Sequence, residues 1–109
     1  MQPDMNVNFT EKIRGAKLNE YIEYYRQLAM AVVGQAVKDY REALVKYKNA
    51  VEFWNTEEGK RKVDSAKGEI RSLEKFFHSG RYGILTDIDP DILIQKVRSM
   101  EGIDENEEF

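Results

Sequence analysis

The chain has no cysteine and a single histidine in 109 residues. Without cysteine there are no disulfides, no thiolate metal sites and no cysteine nucleophile. The lone His78 excludes a His-rich metal cluster and any site that needs two histidines from one chain. Apolar runs are short. The longest, Leu28–Val33, falls far below a membrane span. The N-terminus carries Asp4 and lacks the charged-then-apolar pattern of a signal peptide, so a cytoplasmic protein with no membrane segment is expected. A Gly-rich phosphate loop, a dinucleotide fingerprint and a nucleophile motif are all missing. The expectation is a non-enzymatic protein with no cofactor and no metal.

What is present suits a thin helical domain. Apolar residues make up 41% and charged residues 34%, a balance that fits amphipathic helices with solvated outer faces. The net charge of −3 is unevenly placed. Residues 1–34 are balanced. Residues 35–82 hold eleven basic and eight acidic side chains, and residues 83–109 hold two basic and eight acidic. A basic centre with an acidic end fits solvated helix faces, and also a nucleic acid or a charged protein partner.

Residues 1–9 lack periodicity and read as a disordered lead-in, with Thr10 as a candidate cap for a helix starting at Glu11. From about Glu20 to Trp54, Ile22, Tyr25, Ala29, Val33, Ala36, Tyr40, Leu44, Tyr47 and Val51 recur every three or four residues, which predicts one long helix. Asn55 and Thr56 break it. Thr56 followed by Glu57 and Glu58 has the oxygen cap and the acidic first turn of a new helix, expected over 57–78. Its stripe is Val63, Ala66, Ile70, Leu73 and Phe77. So short a connection permits only an antiparallel return. Gly80 is expected to close this helix in the left-handed conformation. A connecting piece comes next, then Asp89-Pro90-Asp91 restarts a short helix over 90–101. The tail 102–109, rich in aspartate and glutamate, is expected to be disordered.

Candidate sites are few. Asp87, Asp89 and Asp91 alternate like the start of a calcium loop, but Ile92 and Arg98 stand where that loop needs glycine and glutamate. Helix capping explains them better. Lys60, Arg61, Lys62, Lys67 and Arg71 give the second helix a basic flank that could bind phosphate or nucleic acid, though Asp64 and Glu74 lie within pairing reach. Phe76, Tyr82 and Trp54 are the candidate partner-binding patch if Phe76 is exposed. Ile22, Tyr25, Ala29 and Val33 have no partner within the hairpin and are the candidate dimer face.

A resemblance adds to this. The segments AVKDYREAL (36–44) and EIRSLEKFFHSGRYGILTDIDPDILIQKV (69–97) resemble a group of small proteins encoded by phages and prophages of Gram-positive bacteria. The shared pattern is D-Y-R-x-A-L, E-x-F-F-x-S, L-T-D-x-D and L-I-x-K. It covers roughly residues 32–98. Gly80-Arg81-Tyr82 departs from it where relatives have an acidic-aromatic pair, and Asp89-Pro90-Asp91 where many have Asp-Gly followed by an acidic residue. The resemblance implies a phage accessory role: regulation, or interference with a host protein or defence system.

The expected fold is all-α: a long helix with an antiparallel hairpin partner and a short third helix. A homo-oligomer is expected because so thin a hairpin buries little. The expected function is binding and modulation of a host protein. Two alternatives stand beside it. One is a nucleic-acid-binding regulator using the Lys60–Arg71 flank. The other is a sequestering protein for a small nucleotide signal.

Overall fold

The computed structural model describes the backbone of residues 16–109 and the side chains of residues 19–109. The lead-in over 1–9 and the Thr10 cap lie outside the described residues. Four helices are present among the described residues, in order: α1 (Ala16–Val51), α2 (Glu57–Phe77), α3 (Gly80–Leu85) and α4 (Pro90–Met100). There is no strand among the described residues. The all-α fold, with a long helix packed against a second, is as the sequence predicts.

The periodic stripes decide the packing. Tyr40, Ala43 and Leu44 of α1 are fully buried, as are Ile70 and Phe77 of α2. Each large apolar side chain among them contributes about 1.5–3 kcal/mol by leaving water. The α1–α2 pair is an antiparallel hairpin. Lys46 reaches Glu69 near its middle, and Tyr40 meets Phe77 edge-on at 5.4 Å near its end. Helix α4 completes the core with Ile94 and Val97.

Local signals set the helix ends. Thr56 Oγ1 accepts from the Gly59 amide at 2.9 Å and so caps α2. Asp89 Oδ1 accepts from the Asp91 and Ile92 amides and caps α4, with Pro90 at its first position. Gly80 departs from expectation. It is the first residue of α3, capped by Ser79, whose hydroxyl accepts from the Tyr82 amide. The left-handed glycine is Gly102, with φ of 71°, just past α4.

The tail also departs from expectation. Residues 103–109 pack onto the helices. Ile103 is buried, and the Phe109 ring meets Tyr47 edge-on at 4.9 Å. Composition argues for disorder, but two apolar anchors and a buried arginine hold the acidic stretch down. Helix α1 has 36 residues against 21 in α2. At 1.5 Å per residue its N-terminal part outruns its hairpin partner by roughly 20 Å.

Candidate functional site

Two constellations stand out, one internal and one at the surface. The internal one centres on Arg98, whose residue is 5% exposed. Its Nη2 donates to Glu74 Oε2 at 2.6 Å, and its Nε donates to the Tyr40 hydroxyl at 3.1 Å. Tyr40 in turn donates a short hydrogen bond to Glu74. Arg98 Nη1 donates to the carbonyls of Glu105 at 3.0 Å and Glu107 at 2.8 Å, with a longer contact to that of Asp104. The guanidinium also lies 4.9 Å from the centre of the Phe109 ring. Burial, and then the Glu74 carboxylate, push the Tyr40 phenol well above its ordinary value. Burial works against the Arg98 charge, but the bonds to Tyr40 and Glu74 outweigh it. No buried side-chain nitrogen or oxygen among the described residues lacks a partner, so the arrangement joins α1, α2, α4 and the tail rather than presenting a free reactive atom.

The surface constellation is the turn between α1 and α2. Phe53 is 60% exposed and Trp54 61%. The turn beneath them is braced. The Thr56 hydroxyl and amide both donate to the Phe53 carbonyl, at 2.8 and 3.0 Å. A Cβ on Gly59 would lie 1.7 Å from that same carbonyl oxygen, so only glycine lets α2 approach so closely. Beside the turn runs an open groove of about 750 Å³, lined by Ala50, Phe53, Gly59 and Ala66 and edged by Lys46, Glu58, Lys62 and Glu69. Lys46 pairs with Glu69 at 3.5 Å and Lys62 with Glu58 at 3.2 Å. The rim cations are therefore matched by carboxylates, and the groove is not an anion pocket. An apolar floor inside a charge-neutral rim suits a protein side chain.

The three residues expected to form one partner patch are not brought together. Tyr82 is 2% exposed and donates its hydroxyl hydrogen to the Ile88 carbonyl at 3.0 Å. Phe76 is half-buried with its ring against Tyr82. Both belong to an aromatic cluster with Phe77. Trp54 lies at the opposite end of α2, roughly 30 Å away at helical rise. Phe53, not Phe76, is its aromatic neighbour.

Of the basic flank, Lys60, Lys67 and Arg71 share one face of α2, with Asp64 between them. Arg61 and Lys62 diverge from it at 100° per residue. Glu74, expected to lie beside Arg71, is committed to Arg98 instead. The expected dimer face is also split. Ile22 and Tyr25 are exposed, but Ala29 and Val33 are buried, Val33 within the main core. A charge at Val33 would therefore disturb the fold itself.

At the α2–α4 junction, His78 Nδ1 contacts the Glu74 carbonyl at 2.9 Å and Nε2 contacts Asp91 Oδ1 at 2.8 Å. The Asp91 hydrogen bond, then the Glu74 carbonyl, raise the imidazole above its ordinary value. No group of His, Asp or Glu side chains suited to a metal ion occurs among the described residues, and no helix among them is long and apolar enough to cross a membrane.

Sequence reasoning missed Arg98 and Phe53. Arg98 had a signal: a lone cation one helical turn after Ile94, on the core stripe of α4. Phe53 had none beyond its place next to Trp54. Comparison with protein-family models, with curated proteins and with solved structures finds no match.

Proposed function

We propose that the chain is a non-enzymatic phage accessory protein that binds and modulates a host protein in the cytoplasm of the bacterial host, a component of a host defence system being one class of target. One observation carries this reading: Phe53 and Trp54 stand largely exposed on a braced turn beside an apolar groove. Large aromatic side chains held out on a rigid support are the typical anchors of protein interfaces. Bracing matters because a preordered turn loses little entropy on docking.

A nucleic-acid reading draws on the basic stripe of Lys60, Lys67 and Arg71, of which Lys60 and Arg71 are exposed and Lys67 is half-buried. It predicts binding that weakens steeply with salt. The stripe is interrupted by Asp64 and faces away from the groove, so it is the weaker reading. The nucleotide-sequestering reading draws support from neither site, because the groove cations are already paired.

The test is capture from host lysate with the wild-type chain and with Trp54→Ala in parallel. The expected outcome is a protein retained by the wild type at moderate salt and lost from Trp54→Ala, while circular dichroism shows both chains equally helical. Equal retention by the two chains refutes the assignment of the turn. Retention of nucleic acid that vanishes in high salt transfers the function to the basic stripe.

A further inference from the structure

The part of α1 that outruns its hairpin partner has a second apolar face, distinct from the core stripe. Tyr21, Tyr24, Tyr25 and Leu28 are between 52 and 67% exposed, and Ile22 and Val32 are exposed at over 40%. Between Tyr21 and Val32 the two charged residues, Glu23 and Arg26, lie on the other side. There Arg26 pairs with Glu23 at 2.9 Å. Membrane-surface helices carry a row of basic residues opposite their apolar face, and this segment does not.

Tyr21, Tyr25, Leu28 and Val32 are spaced by four, three and four residues. This is the seam of a two-stranded helical pair. It is rotated by roughly 90° from the face of Ile22, Ala29 and Val33. The seam is self-complementary in one direction only. Side by side in parallel, two copies would stack tyrosine on tyrosine at two layers and leave only Leu28 and Val32 at the others. Antiparallel, each layer joins one tyrosine to one aliphatic: Tyr21 to Val32 of the second copy, and Tyr25 to Leu28 of the second copy. The four layers then have nearly equal volume, as close packing requires. The antiparallel arrangement also keeps apart the two acidic C-terminal regions, each holding eight acidic and two basic side chains over residues 83–109.

The area is sufficient. At about 150–250 Å² per tyrosine and less for the aliphatics, the four seam residues together with the flanking Tyr24 and Ile22 expose roughly 600 Å² per copy. Two copies would bury about 1,200 Å², the lower end of stable specific interfaces. Its poverty in charge resembles permanent self-association more than transient docking. We infer that the free part of α1 is an antiparallel homodimer interface, centred between Tyr25 and Leu28, that leaves the Phe53–Trp54 turns at the two far ends for partners.

The test uses the full chain. Light scattering after gel filtration should give twice the 12.8 kDa chain mass. Leu28→Glu and Tyr25→Glu, both at exposed positions, should give the single-chain mass with helicity retained. Gln27→Glu, on the opposite face, should stay dimeric, and so should Trp54→Ala. Because the chain lacks cysteine, direction is read by single substitutions. Mixed Tyr21→Cys and Val32→Cys chains should join by a disulfide, while Tyr21→Cys alone should not. A monomeric wild type, an assembly larger than two, an oligomer that survives Leu28→Glu, or efficient self-linking of Tyr21→Cys would each overturn the inference.

Discussion

Replacing Arg98 with alanine should cost about 3 kcal/mol. The side chain holds Glu74 at 2.6 Å, the Tyr40 hydroxyl at 3.1 Å and two tail carbonyls at 3.0 Å or less. Removing one partner of a buried pair leaves the other charge uncompensated, at a cost of about 3–5 kcal/mol. Glu74 keeps 23% of its side-chain surface in water, so part of that penalty is relieved by solvent. Freed from Arg98, the tail also loses its carbonyl anchors and the contact with Phe109. A domain of this size has about 5–15 kcal/mol of total stability, so the loss is a large fraction. At about 4–8 °C per kcal/mol, the melting temperature should fall by roughly 12–24 °C. Urea unfolding followed by circular dichroism measures the free-energy loss directly. Glu74→Gln and the double variant complete a cycle, whose coupling should be about 1–3 kcal/mol. A cost below about 1 kcal/mol for Arg98→Ala, with additive effects in the cycle, would refute the claim that Arg98 joins the helices and the tail.

Gly59→Ala should destabilise by about 2–3 kcal/mol, because its Cβ would collide with the Phe53 carbonyl. The usual result inside a helix is a gain of about 1 kcal/mol, and finding that gain in urea unfolding would refute the close approach. His78 has its pKa raised in the folded chain, so its contribution is complete below the unfolded value of about 6.5 and is lost as pH rises through the folded value. The side chain is about half exposed, so the effect stays under about 1 kcal/mol; NMR titration should show a pKa above about 6.5 that falls towards it in Asp91→Asn. Trp54→Ala should change stability by no more than about 0.5 kcal/mol while costing about 2 kcal/mol or more of partner binding, and a thermal melt beside a binding titration separates the two.

The helices are legible in the sequence because their stripes and caps act locally. Tyr40, Leu44, Ile70 and Phe77 sit at helical spacing and are all buried. Thr56 and Asp89 cap the helices that their sequence context announces. Where sequence and structure part, the deciding contacts are distant in the chain or hidden in side-chain packing. Tyr82 reads as a surface aromatic because its own neighbours in the chain do not show that Phe77 and Ile88 enclose it. The tail reads as disordered because its carboxylates are visible in the sequence, whereas the Arg98 side chain that collects its carbonyls sits in α4. The α1 stripe reads as continuous from Ile22 to Val51, yet the hairpin partner is too short to cover all of it. Beyond the hairpin the exposed face shifts to Tyr21, Tyr25, Leu28 and Val32. The Phe53–Trp54 turn is half legible: Trp54 is conspicuous by its chemistry, while the brace that presents it depends on Gly59 meeting a carbonyl six residues earlier.

That the chain works through apolar protein surfaces, rather than through a bound nucleotide or nucleic acid, is tested most directly by native mass spectrometry of the protein purified at low salt. The expected spectrum is a dimer of the 12.8 kDa chain with no added mass. Retained mass matching a nucleotide or an oligonucleotide would contradict it.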